Sequence, residues 1–194
     1  MIRFARSQAQ RMLRAAVRLA LVVFFAALVV FSANHPVLES VTLPREPHPP
    51  KEHNLAALDY GPTVRASSMD RVYTFHPLYV VDGKTTPTPM EKWSSDAHDE
   101  HPWIEVRWDR SRAVTRVVLT HAGAVESPVY TMRNYEIRCL GAGDGPSMKV
   151  TNNAQAVATH LLACPNASGV HISFDREAGA RAVARLYEVE VWGQ

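Results

Sequence analysis

The stretch Asp96-Ala97-His98-Asp99-Glu100-His101 brings two imidazoles and three carboxylates together, ligand types that zinc or nickel accept. On a helix, His98 and His101 would share a face. On a loop the spacing aligns nothing, and a solvated polar loop explains the same residues. Gly141-Ala142-Gly143-Asp144-Gly145 superficially matches a dinucleotide fingerprint, but it runs into Pro146 and not into a helix, which marks a hairpin turn. No GxSxG elbow, HExxH pair or phosphate-cradling glycine loop is present, so the sequence predicts no catalytic residues and no enzyme. Cys139 and Cys164 complete the reactive side chains; strand parity points Cys139 inward. Outside the cytoplasm the two are expected as a structural disulfide, with two free buried thiols as the alternative.

Where these residues act depends on the first third of the chain. The protein has 194 residues, with 21 Lys and Arg against 19 Asp and Glu. Residues 1–34 hold five arginines and no acid, leaving 16 basic against 19 acidic residues beyond them. A nucleic-acid-binding domain concentrates positive charge on its folded part, so no nucleic-acid partner is expected. Residues 19–31 (LALVVFFAALVVF) are uninterrupted apolar sequence, and 15–33 are broken only by Arg18. At 1.5 Å per residue, 15–33 reach about 28 Å, close to the hydrocarbon thickness of a bilayer. The preceding arginines place the N-terminus in the cytoplasm and everything after residue 34 outside it, periplasmic or extracellular. An uncleaved single-pass anchor and a signal peptide cut after Ser32, giving a secreted protein, both fit. Residues 34–53 carry five of the 13 prolines and read as an extended stalk. The expected organisation is a basic tail (1–14), a transmembrane signal-anchor (15–33), the stalk (34–53) and a folded domain (54–194).

The domain must be built of strands. Residues 102–108, 134–140, 169–175 and 184–192 alternate apolar and polar at period two, and 114–120 and 78–82 do so more weakly. Asp82-Gly83, the 141–146 glycine stretch and Glu177-Ala178-Gly179 punctuate them as turns. A helical turn near 54–59 or 155–162 is compatible with the pattern. So many short half-buried strands predict an all-β antiparallel sandwich. Trp93, Trp103, Trp108 and Trp192 are expected in its core or sheets.

The order Ala66-Ser67-Ser68, Val80-Val81-Asp82-Gly83, Lys92-Trp93-Ser94-Ser95, Pro102-Trp103-Ile104-Glu105-Val106, Asn134-Tyr135-Glu136-Ile137 and Leu186-Tyr187-Glu188-Val189-Glu190-Val191-Trp192-Gly193 resembles the discoidin, or coagulation factor V/VIII C-type, family over residues 54–193. The resemblance implies an eight-stranded jelly-roll sandwich of the galactose-binding-domain-like type, acting by binding and not by catalysis. It implies a structural calcium near the DG turn, with Asp82 and Glu188 as ligands. Glu91 stands where the family has a threonine, which leaves two readings: Glu91 as a substitute ligand, or no calcium site, with Asp82 merely capping the turn. It also implies recognition by loops at one end of the sandwich: 69–77 (Tyr73, Phe75, His76), 93–101 (His98) and 121–133 (His121, Tyr130, Arg133). His121 occupies a position where the family often has arginine, so galactose specificity does not transfer. The expected partner is an envelope or extracellular glycan, held by aromatic faces and planar polar groups. The alternative is an accessory subunit docking on another envelope membrane protein.

Overall fold

The computed structural model describes residues 51–194, apart from 74, 85–87 and 142–144. The predicted tail, membrane helix and nearly all of the stalk lie outside the described residues. Among the described residues no helix is long and apolar enough to cross a membrane.

Among the described residues eight strands form: β1 (His53–Asn54), β2 (Thr63–Ala66), β3 (Trp93–Ser94), β4 (Trp103–His121), β5 (Tyr135–Leu140), β6 (Ser147–Val150), β7 (Val157–Phe174) and β8 (Arg185–Gly193). All pairings are antiparallel, in the order β1-β8-β4-β7-β5-β6, with β2 beside β4 and β3 beside β8. β4 and β7 each serve both layers of a sandwich. The first part of β4 pairs with β2 and the end of β7, and its last part pairs with β8 and the start of β7. Register shifts between Arg107 and Arg116 mark where the chain turns from one layer to the other. Gly169 permits the close crossing there, since a Cβ would sit 2.5 Å from the Val106 carbonyl.

The period-two pattern becomes the core. Ile104, Val106, Ile137, Val170 and Ile172 face inward from one layer, and Val117, Leu119, Val189 and Val191 from the other, all fully buried. Each contributes about 1.5–3 kcal/mol by leaving water. Trp93 and Trp108 are buried, their indole N–H groups donating to the carbonyls of Ser68 (2.9 Å) and Leu55 (2.6 Å). Trp103 and Trp192 lie half-buried on strands. Cys139 on β5 and Cys164 on β7 form a disulfide, with Cα atoms 6.4 Å apart.

One expectation fails, and one of two alternatives is settled. Residues 78–82 are not a strand: Pro77–Val81 is a 3-10 turn, started by proline with its fixed φ and capped by His76 Nδ1, which accepts from the Leu78 N–H at 3.1 Å. Residues 155–162 are not helical, because 157–162 open the long strand β7, where Ala158 and Leu162 point into the core. Of the two places compatible with a helical turn, the first holds it, as the 3-10 segment Leu58–Tyr60.

Candidate functional site

Loops 69–77 and 93–101 meet beside β2 around a cavity of about 760 Å³, lined by Arg65, Ser67, Ser68, Arg71, His76, Asp96, His98, Asp99 and Trp103 among others. The two serines anchor it. Both hydroxyls donate to Asp99 Oδ2 at 2.5 Å, and the His101 N–H donates to Asp99 Oδ1 at 3.0 Å. Burial raises the Asp99 pKa, but these donors outweigh burial and hold it below the ordinary carboxylate value. Asp96 accepts from the His98 N–H at 2.8 Å and lies 3.1 Å from its ring Nδ1. The His98 side chain is 96% exposed. His98 and His76 therefore reach one cavity, although no group of three or more His, Cys, Asp or Glu among the described residues can hold a metal ion.

On the same loop as the cavity-lining Arg71 and His76, Tyr73 stacks on Phe75 with ring centroids 5.4 Å apart. The pair divides its roles: Phe75 is 8% exposed and packs, whereas Tyr73 is 56% exposed. Beneath Phe75 lies a residue that the sequence marks only as part of a motif, with no role of its own. Lys92 is 5% exposed, with its ammonium 4.4 Å from the Phe75 ring centre, 2.6 Å from Glu126 Oε1 and 2.8 Å from the Pro89 carbonyl. The Tyr187 hydroxyl donates to the same Glu126 oxygen at 2.9 Å. One buried cation thus ties loop 69–77 to loop 121–133. Lysine beside the core Trp93 was the available signal.

The other predicted residues are elsewhere. The Arg185 guanidinium covers the Tyr130 ring at 4.5 Å, and Arg133 donates to Asn152 Oδ1 at 3.1 Å; neither residue lines the cavity. His121 is fully buried against Tyr135, so it offers no loop-end contact. Burial, helped by His160, pushes its pKa down to about 4 from 6.5. A depressed histidine stabilises the fold above its unfolded pKa, and that stability is lost as pH falls from 6.5 toward 4. The loss from His121 is expected on the order of 3 kcal/mol. In His121→Leu, denaturant unfolding from pH 7 to 4 should show a shallower decline; an unchanged slope would contradict the assignment.

The three predicted calcium ligands do not form one donor set. Lys84 pairs with Glu91, which also accepts from the Thr88 N–H at 2.8 Å, and Lys84 lies 3.6 Å from Asp82 Oδ2. The Lys84 ammonium, ahead of the Thr88 N–H, holds the Glu91 pKa down to about 2. Glu188 accepts from the Gly83 N–H at 3.3 Å, a bond set by the positive φ of 72° at Gly83. Its other oxygen is buried without a partner. Burial, then Asp82, pushes the Glu188 pKa up to about 8. Asp82 and Glu188 lie close enough for the Asp82 charge to reach Glu188.

A family model described as "NedA-like, galactose-binding domain", of the F5/F8 type C group, matches residues 79–184. Among solved structures, a fucose-binding module of Streptococcus pneumoniae aligns with TM-score 0.60 at 18% identity, covering 76% of this chain and all of its own. A chitosan-binding module from a Paenibacillus sp. IK-5 chitosanase/glucanase aligns with TM-score 0.57 at 22% identity, covering 73% of this chain and 99% of its own. The lectin domain of lectinolysin, complexed with Lewis B antigen, aligns with TM-score 0.60 at 18% identity, covering 73% and 97%. At these identities the likeness establishes the fold. A search of curated proteins returned no match.

Proposed function

The chain belongs to the NedA-like galactose-binding domain family, and on that premise we propose that its sandwich is a carbohydrate-binding module. The supporting observation is the cavity of about 760 Å³, a size that accommodates a small ligand, where His76, His98 and Trp103 converge, with an exposed Tyr73 on the same loop as His76. Similar structures carry fucose, chitosan and Lewis B binding in their descriptions, which agrees with this reading. Recognition is non-covalent. Residues 15–33 hold the module to the membrane, with the N-terminus cytoplasmic and the sandwich outside, as the apolar run and its flanking arginines suggest.

A glycan array probed with the full chain in detergent should show saturable binding. Tyr73→Ala or His98→Ala should weaken it about tenfold, the size of one lost stacking or polar contact. Arg133→Ala should leave it unchanged. No bound glycan, or equal loss in Arg133→Ala, would contradict the placement.

A second reading has its own support. Val72, Tyr73, Leu78 and Met90 are exposed apolar side chains on neighbouring segments, as a docking face for another envelope membrane protein would require. Stoichiometric co-purification of a membrane partner from detergent extracts, lost in Val72→Asp, would favour it.

Calcium is the proposed structural cation between Asp82 and Glu188, supported by the orphaned Glu188 oxygen; it would neutralise both carboxylates. Without it, Glu188 carries a raised pKa, so its contribution favours folding below pH 4.5 and is lost as pH rises toward 8. In chelator, Glu188→Gln should exceed the wild type at pH 8 by on the order of 2 kcal/mol and match it near pH 4. Added calcium should raise the melting temperature of the wild type alone. A Gln variant less stable at pH 8 in chelator would contradict the burial argument.

A further inference from the structure

We propose that the sugar taken by this cavity is acidic, with a carboxylate held by Arg65 and Arg71. The proposal rests on the carbohydrate reading and narrows its ligand class. Both arginines line the cavity. Arg65 projects from β2, opposite Glu105 on β4. Arg71 sits in the exposed turn of loop 69–77.

What distinguishes them is the commitment of every nearby acid to another donor. Asp99 accepts from Ser67, Ser68 and the His101 N–H. Asp96 accepts from His98, and Asp70 from the Val72 N–H at 2.9 Å. Glu100 pairs with Arg176. Glu105 pairs with Arg107 through one oxygen and lies 3.3 Å from His171 Nδ1 through the other. Among the described residues neither Arg65 nor Arg71 forms an ion pair, although Arg71 lies close enough to Asp96 to feel its charge.

Two arginines lining one cavity, neither in an ion pair among the described residues, offer the planar, bidentate donor forks that a carboxylate accepts. Trp103, tilted against His171 at 5.2 Å, supplies an apolar surface for the C–H side of a sugar ring. A neutral sugar offers the guanidiniums only uncharged hydroxyl acceptors, whereas a uronate also offers a charged planar one and makes the stronger pair.

The test is calorimetric titration of the full chain with galacturonate, glucuronate and mannuronate trimers and with their methyl esters. At least one acid should bind about tenfold or more tightly than its ester, with affinity falling as salt rises. Arg65→Gln and Arg71→Gln should each remove that difference without moving the melting temperature, and Arg65→Lys should restore part of it. Equal binding of acids and esters, or binding of neutral glycans only, overturns the acidic ligand and leaves the carbohydrate reading standing. Tighter binding of a sulfated disaccharide than of any uronate overturns the carboxylate. Binding of no glycan removes both readings.

Discussion

Lys92→Ala should destabilise the domain by on the order of 3 kcal/mol, the cost of removing one partner from a buried ion pair. The ammonium contacts Glu126 and the Pro89 carbonyl and lies over two rings, Phe75 at 4.4 Å and Tyr187 at 5.8 Å. Alanine leaves the Glu126 carboxylate with only the Tyr187 hydroxyl and orphans a carbonyl. Lys92→Met restores the volume but not the charge, so it should lose nearly as much. The double variant Lys92→Met/Glu126→Leu removes both charges and should recover part of the loss. Because Lys92 links two loops, glycan affinity should fall in the single variants as well. Urea unfolding decides it: a loss below about 0.5 kcal/mol would put the pair among weak surface contacts.

Replacing both cysteines by alanine should cost about 3.5 kcal/mol in the chain-entropy estimate, for a bond closing a loop with a sequence separation of 25. Cys139 stands beside Val170 in one layer, and Cys164 beside Val114, where β4 meets β8 in the other. The bond therefore staples the layers through the core. Reduction should lower the melting temperature of the wild type and leave the double variant unaffected. Equal melting temperatures before and after reduction would contradict that role.

The strands were legible where large apolar residues alternate, as at Ile104-Val106-Trp108 and Val170-Ile172-Phe174, because burial on one face of a pleated sheet requires period two. The first half of β7 was hidden. Its inward positions are Ala158, Leu162 and Cys164, with the half-buried His160 among them, too small or too polar to register as a stripe. Residues 78–82 misled for the opposite reason: Val80 and Val81 are both buried, but on a 3-10 turn under Pro77. At the site, His76, His98 and Tyr73 came from residue type and loop position. Arg65 did not, since a charged residue on an edge strand looks like ordinary solvent-facing alternation; its meaning depends on Glu105 being occupied from β4 and β7. His121 looked like a loop ligand because nothing local shows that Tyr135 and His160 close over the end of β4.

The most direct measurement is amide hydrogen exchange on the full chain, with and without the best glycan from the array. Ligand-dependent protection should concentrate in residues 65–77 and 96–103, around the cavity, and leave 157–164 on the far layer unchanged. Protection confined to the far layer, or none at saturating glycan, would contradict recognition at this end of the sandwich.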